Sequence, residues 1–537
     1  MFTKHFFGHL YHINIIIMRK RSVPISIVLI CVTLQVAAQS LTTGSSQSPL
    51  FNVCSYGARG DGQQLDSPSV NRAIDAASEA GGGIVYFPSG TYLSGSIRLK
   101  SNITLYLDQG ASIVAIQDTT AYDKAEPNEW GDKYQYQDFG HSHWHNSLIW
   151  GENLEKVAIM GPGLIYGKGL TRFLRQDNLP NSLGNKAISM KNCNDVTLRD
   201  FSILHGGHFG ILLTGVDNLT IDNLKIDTNR DGIDVDCCRN VKISNCSVNS
   251  PWDDAICLKS SFGLGYARST EDVNITNCWV SGGFEEGTVL NGTFKPIGPG
   301  YRANFTGRIK FGTESNAGGF KNITISNCIF ESCQGLALES VDGALLEDVT
   351  ITNITMRNII SAPIFIRLGS RMRGPEGVPV GKLHRIIISN IVAFDTRPGY
   401  CSIISGIPGF DIEDVQLNNI QIYCTGGGTS EMATIEPPER ENAYPEPGMF
   451  GSTPAYGFYI RHANRIEFNN VQVSYEGEEA RPPFSLKDVK NVDFMHVRAQ
   501  HAERIPAFVL QDVSNFRSHF TSSVPDTVVV KTNKIAF

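Results

Sequence analysis

A strand of alternating apolar residues that ends in asparagine recurs along this chain. It reads NLTIDN to Asn223, NVKISN to Asn245, DVNITN to Asn277, NITISN to Asn327, DVTITN to Asn353, RIIISN to Asn390, DVQLNN to Asn419 and RIEFNN to Asn470. The shortest interval, Asn223 to Asn245, is about 22 residues, and the longer ones differ by inserted loops, the pattern of a solenoid whose coils stack on one axis. Alternation with period two turns Val and Ile inward and leaves polar partners facing water. An asparagine at each turn can hydrogen-bond the asparagine above and below it, which satisfies backbone groups that a sharp bend would strand. An antiparallel sandwich would need Asn-Gly hairpin turns at roughly 8 to 12 residue spacing, and these are scarce. The expected fold is all-β: a single right-handed parallel β-helix with the turn asparagines in one column.

Residues 51 to 115 read as the opening of the same solenoid. Ser69 to Ala80 has helical spacing and is suited to cover the exposed edge of the first coil. The stretches 117 to 147, 281 to 307, 370 to 381 and 425 to 455 break the repeat with Gly, Pro and polar residues, and are candidate loops over a cleft. A length of 537 residues alone suggests several domains, but the repeat argues for one, spanning 51 to 537 and carrying the catalytic candidates, behind a flexible segment at 39 to 50. Residues 1 to 38 read as an export signal: Arg19, Lys20 and Arg21, an apolar run from Ile25 to Leu34, then Val36-Ala37-Ala38 with cleavage after Ala38. Met18 is a candidate true start. The apolar run is shorter than the ~20 residues a membrane span needs, so the processed chain is expected to be an exported monomer, periplasmic or extracellular, with no membrane span. A net charge of −7 with 18% charged residues offers no field for nucleic acid.

Twelve cysteines in an exported chain invite a disulfide framework. Their positions argue against one. Cys193, Cys246, Cys278 and Cys328 each directly follow an asparagine at the same place in the repeat, as small buried residues in a stack would, and Cys237, Cys238 and Cys257 sit in similar strand contexts. No spacing suggests zinc, and no metal or cofactor is expected.

Asp231 lies eight residues after Asn223, and Asp253 eight after Asn245. They therefore occupy the same place on neighbouring coils, about 4.8 Å apart, joined by Asp254 and by Asp234 or Asp236. Like charges that close push one pKa up while another carboxylate stays ionised. A glycosidase needs that pairing: one carboxyl to protonate the leaving oxygen and one carboxylate to activate water. A solvated acidic face or a calcium site is the competing reading.

NRDGIDVD at Asn229 to Asp236, the Asp253-Asp254 pair in PWDDAICLKSS and the Asn-Cys coils resemble glycoside hydrolase family 28, the polygalacturonases and rhamnogalacturonan hydrolases, from about residue 51 to beyond residue 400. The resemblance implies a pectin-lyase-like solenoid and inversion by single displacement without metal. Asp253 would be the general acid, Asp231 and Asp254 would hold and deprotonate the attacking water, and Lys259 matches a further family position. Arg230 stands where the family has threonine, and the gap to the Asp pair is one residue longer, with Trp252 before it.

The family's GHG and RIK are absent from their expected places. Thr306 falls near the histidine position, and Ala337 and Glu339 stand where arginine and lysine would. A literal RIK, Arg308 to Lys310, occurs one coil early. Its two basic residues share one strand face and could restore the missing positive charge, or they are simply exposed. Other candidates for substrate contact are His143, Trp144 and His145 in a loop before the main coils, His208 ahead of the catalytic strands, and Arg367 and Arg371 after them. The expected function is a glycoside hydrolase that cleaves galacturonide or rhamnogalacturonide linkages of a pectic polysaccharide, with long loops favouring exo action. A calcium-dependent pectate or rhamnogalacturonan lyase and a non-catalytic carbohydrate-binding β-helix are the alternatives.

Overall fold

The computed structural model describes residues 49–128, 130, 139–171, 186–298, 304–397 and 399–537. The expected export signal, Met18 and the segment before residue 49 lie outside them. Thirty-five strands among the described residues join into one continuous ladder, and all pair in parallel except the last, Thr527–Ala536, which runs antiparallel to Phe508–His519 and covers the C-terminal coil. The expected parallel β-helix is borne out.

Each coil contributes three short strands, and each strand pairs with its counterpart one coil away. Ile211 pairs with Ile233 and Ile233 with Ile256, Leu219 with Val241 and Val241 with Val273, and Ile226 with Val248. All of these side chains are buried in one column-like core. The α-helix Ser67–Glu79 starts with a proline in its first turn and lays Val70, Ala73, Ile74 and Ala77 against the first coil, as expected for a cap. Among the described residues, no helix is long and apolar enough to cross a membrane.

The turn asparagines recur as expected, but the amide-to-amide ladder is interrupted, since Asn245 donates to Asp222, Asn327 to Thr276 and Asn390 to Thr352. Asn277 donates to Asn245, Asn353 to Asn327, Asn419 to Asn390 and Asn470 to Asn419, at 2.9 to 3.4 Å. Each of the eight turn asparagines has a φ between 53° and 58°, the left-handed region that asparagine tolerates better than other side chains with a Cβ. A second ladder at the other turn of the coil escaped sequence reading: Asn240 bonds Asn218, which bonds Asn194, and Asn515 bonds Asn491, which bonds Asn464. In the middle coils that turn holds Asp348 with Arg385 and Asp414 with Arg465, ion pairs in place of amides. The cysteines after the first ladder are buried free thiols, as their place in the repeat implies.

Coil length is not constant. Lys225 pairs with Ser247, but Ile233 pairs with Ile256, so one extra residue enters beside Trp252. The expected alignment of Asp231 with Asp253 is corrected by that residue: the strand register carries Asp231 against Asp254 and brings Arg230 to Asp253.

Candidate active site

Asp231 and the Asp253-Asp254 pair occupy the bends just ahead of the strands Ile233–Asp236 and Ile256–Ser260. Gly232 makes that bend possible, because a Cβ there would lie 2.4 Å from Val248 and 2.6 Å from the Ala255 carbonyl. The three carboxylates converge, each offering an oxygen within 4.8 Å of the others. Asp231 and Asp254 are buried, and Asp253 is about a quarter exposed. Burial, followed by the charges of Asp253 and Asp234, holds the Asp231 carboxyl well above the usual carboxylate range.

Cations surround this trio. Arg230 Nη2 donates to Asp253 Oδ2 at 2.7 Å, and its Nη1 donates to His208 Nδ1 at 3.2 Å. Arg308 Nε donates to Asp254 Oδ1 at 2.9 Å and its Nη2 to Glu446. Lys310 Nζ lies 3.4 Å from Asp254 and 3.6 Å from both Glu339 and Glu446. Burial alone would make Lys310 and Arg308 easier to deprotonate, but the carboxylates around them raise both well above their ordinary values.

Behind the trio sits a second charged cluster. Lys259 Nζ bonds His141 Nε2 at 2.6 Å and lies 3.2 Å from Asp234 and 3.4 Å from Glu314, which Arg373 holds at 2.6 Å. Burial opposes ionisation of Glu314, yet Lys259, His141 and Arg373 hold it well below the usual range. A narrow cavity of about 50 Å³ is lined by Asp231, Asp253, Asp254, Lys259, Lys310 and Tyr444, among others, and a wider one of about 370 Å³ opens beside it on Asp253, Trp252 and Tyr444.

Sequence reading finds Asp231, Asp253, Asp254, Lys259 and Lys310 together here. Arg308 is also present, though fully buried behind Asp254 rather than exposed. Glu339 lies beneath Lys310, and its burial pushes the carboxyl up to about 8. His208 meets the site through Arg230.

Three candidates belong elsewhere. His145 stacks on Trp150 and bonds Glu152 at 2.8 Å, on coils ahead of the site. Trp144 is buried with its indole nitrogen on Thr214, and so offers no face to a sugar. Arg367 is buried and donates to Ser405 and to the carbonyls of Gly406 and Glu439, which makes it a tie for the 425 to 455 loop. Arg371 flanks the site: it bonds Asp342 and the Thr313 carbonyl and lies 5.8 Å over the Tyr444 ring, with Nη1 making no hydrogen bond among the described residues. His141, Glu314, Arg373, Tyr444 and Glu446 were missed. They come from the irregular stretches and the strand after them, where no repeat marks a position.

The stacked parallel coils define a right-handed parallel β-helix protein that carries a cluster of carboxylates at the bends of neighbouring coils. Residues 50–159 match the model for "Rhamnogalacturonase A/epimerase, pectate lyase-like", and residues 174–298 match "Right handed beta helix region". The chain is similar in sequence to polygalacturonases. It is 28% identical over 233 residues to a probable polygalacturonase of Vitis vinifera, covering 41% of this chain and 47% of the relative. It is 22% identical over 408 residues to an exo-poly-alpha-D-galacturonosidase of Dickeya chrysanthemi, covering 66% and 64%. The chain thus spans about half to two thirds of the length of these curated relatives. The family 28 exopolygalacturonase of Yersinia enterocolitica shares the fold with a TM-score of 0.62 at 18% identity, over 83% of this chain and 78% of that one.

Proposed function

We propose that this protein hydrolyses glycosidic bonds of a pectic polysaccharide by inverting single displacement. The observation that carries the reading is the convergence of Asp231, Asp253 and Asp254. Burial of Asp231, with the charges of Asp253 and Asp234 beside it, makes its carboxyl hold a proton more tightly than an ordinary aspartate does. Asp253, which faces the cavity, is the carboxyl placed to deliver a proton to the leaving glycosidic oxygen. Asp254, bonded to Arg308 and near Lys310, accepts a proton from the attacking water. The names of the polygalacturonase relatives support the substrate class, and the loop residues Asn304, Thr306, Tyr444 and Glu446, which border the wider cavity, favour attack at a chain end.

The same three carboxylates are tight enough to hold a cation, which is the observation behind a calcium-dependent lyase. Arg230, Arg308 and Lys310 already neutralise Asp253 and Asp254 at 2.7 to 3.4 Å, and a divalent ion would have to displace them.

Release of reducing ends from pectic oligosaccharides by the wild type and by Asp253→Asn tests the proposal. An amide cannot donate the proton, so the variant should lose ~100-fold to 10,000-fold in rate. A variant that keeps more than half of wild-type turnover removes Asp253 from the mechanism. A folded wild type that releases nothing from any pectic linkage leaves the non-catalytic carbohydrate-binding reading.

A further inference from the structure

Two buried arginines stand on coils beyond the aspartate trio. Arg367 pairs in register with Ser405, and Ser405 with Arg461, so one coil separates them on the same sheet. Arg461 is fully buried, and its fork holds chain that cannot bond itself: Nη1 donates to the Pro437 carbonyl at 2.9 Å and Nη2 to the Pro438 carbonyl at 3.1 Å, and neither proline has an N–H to offer. The same guanidinium lies 3.1 Å from the Glu439 carboxylate. Arg367 extends the clamp, with Nη2 on the Glu439 carbonyl at 3.1 Å and Nη1 on Ser405 and the Gly406 carbonyl. The arrangement opposes itself electrostatically, since burial and the charge of Arg461 pull the Arg367 guanidinium down to about 10. Buried guanidinium groups are tolerated when their donors are taken up, and here the backbone carbonyls of a loop take up most of them.

A second anchor lies at the other end of that loop. Phe450 is buried against Phe365 and Tyr459, with its ring 5.4 Å from the Arg367 guanidinium and 5.2 Å from that of Arg461. Residues 441 to 448 arch between the two anchors, steadied by Ser370, whose N–H donates to the Glu441 carbonyl and whose hydroxyl donates to Asn442. The arch carries Tyr444 and Glu446 to the trio. Glu446 accepts from Arg308 Nη2 at 2.5 Å, and the Tyr444 ring lies 5.4 Å from Lys310 Nζ. Arg308 and Lys310 are the cations beside Asp254, so the arch closes that ion-pair cluster from outside. An ion pair to a glutamate that is a third exposed is too weak to order the arch alone, and the anchors therefore set where Glu446 sits.

We propose that Arg461 and Arg367 are positioning residues of the active site: by clamping residues 437 to 440 they fix the arch that delivers Glu446 and Tyr444 to the Asp254 side of the trio. The effect on turnover rests on the hydrolase reading above, while the clamp itself does not.

The test measures turnover of pectic oligosaccharides and amide hydrogen exchange for Arg461→Met, made in the wild type and in a background already carrying Glu446→Gln and Tyr444→Leu. In the wild type, Arg461→Met should lower kcat by on the order of 100-fold, the effect of misplacing groups around a reaction by about an ångström. In the second background it should add little to the loss already present. Exchange should rise in the arch and stay low on the strands Ile233–Asp236 and Ile256–Ser260. Equal losses of turnover in both backgrounds, or exchange that rises on those strands as much as in the arch, would make the arginines general supports of the fold and overturn the proposal. If Arg461→Met does not fold, Arg461→Lys, which keeps the charge but not the fork that spans two carbonyls, carries the same comparison. A wild type that cleaves no pectic linkage defeats the hydrolase reading and leaves the decision to exchange: a rise confined to the arch upholds the clamp, and an unchanged arch defeats it.

Discussion

Arg230 reaches over the bend it shares with Asp231 and bonds Asp253 on the next coil at 2.7 Å. A single residue thereby touches the exposed carboxylate while sitting next in sequence to the buried one. Its other guanidinium nitrogen rests on His208, so the arm is held from behind.

That geometry gives a pH dependence with a definite sign. Burial and the neighbouring Asp253 and Asp234 raise the Asp231 carboxyl, while Lys259 and Arg230 pull it down. Replacing Arg230 by glutamine removes one downward influence, so Asp231 keeps its proton to higher pH. The alkaline limb of the kcat/KM profile of Arg230→Gln should move upward relative to wild type. A limb that stays in place or moves to lower pH would show that catalysis does not depend on the Asp231 proton.

Asp231 also links function to stability. Its proton is bound more tightly in the folded chain than in the unfolded one. Between the ordinary aspartate value and the raised folded value, the unfolded chain has therefore lost a proton that the native protein retains, and stability falls as pH rises through that window. Asp231→Asn removes the titration and the repulsion from Asp253 and Asp234. The variant should melt above the wild type at neutral pH and show a flatter dependence of Tm on pH, while losing ~100-fold or more in turnover. A lower Tm at neutral pH would mean that Asp231 is a structural carboxylate.

The asparagine ladder was legible because one residue type meets two demands at once: a left-handed φ and an amide that both donates and accepts. Asn353 has φ 57° and donates to Asn327 at 3.1 Å. Alanine there should cost about 1 to 2 kcal/mol for the left-handed backbone, plus the lost hydrogen bond. Glycine keeps the backbone free and loses only the bond. Urea unfolding should rank wild type above Asn353→Gly and Asn353→Gly above Asn353→Ala; equal losses for the two variants would remove backbone strain from the explanation.

The second ladder was hidden because Asn218, Asp272, Asp348 and Arg385 solve the same turn with different chemistry, and a mixed column has no sequence period. The aspartate cluster was legible from its distance to Asn223 and Asn245, but its register was not. One residue inserted beside Trp252 shifts the pairing from Asp253 to Asp254, and turn-to-turn counting is blind to an insertion after the turn. Lys259 and Lys310 could be found because they alternate on strands that belong to the repeat. Tyr444 and Glu446 could not, since a loop of irregular length brings them over the site from more than a hundred residues away in sequence. Arg367 misled for the opposite reason: its place on a strand after the catalytic coils was correct, but the neighbouring loop carbonyls had already claimed its guanidinium.

The most direct test of hydrolysis by the aspartate trio is the mass and ultraviolet absorbance of the products formed from pectic oligosaccharides with and without a chelator. Hydrolysis predicts fragments that together are one water heavier than the substrate, no new absorbance, and an unchanged rate in excess EDTA. Unsaturated, ultraviolet-absorbing products whose formation stops in EDTA and returns with calcium would contradict it, and would make Asp231, Asp253 and Asp254 the ligands of a lyase.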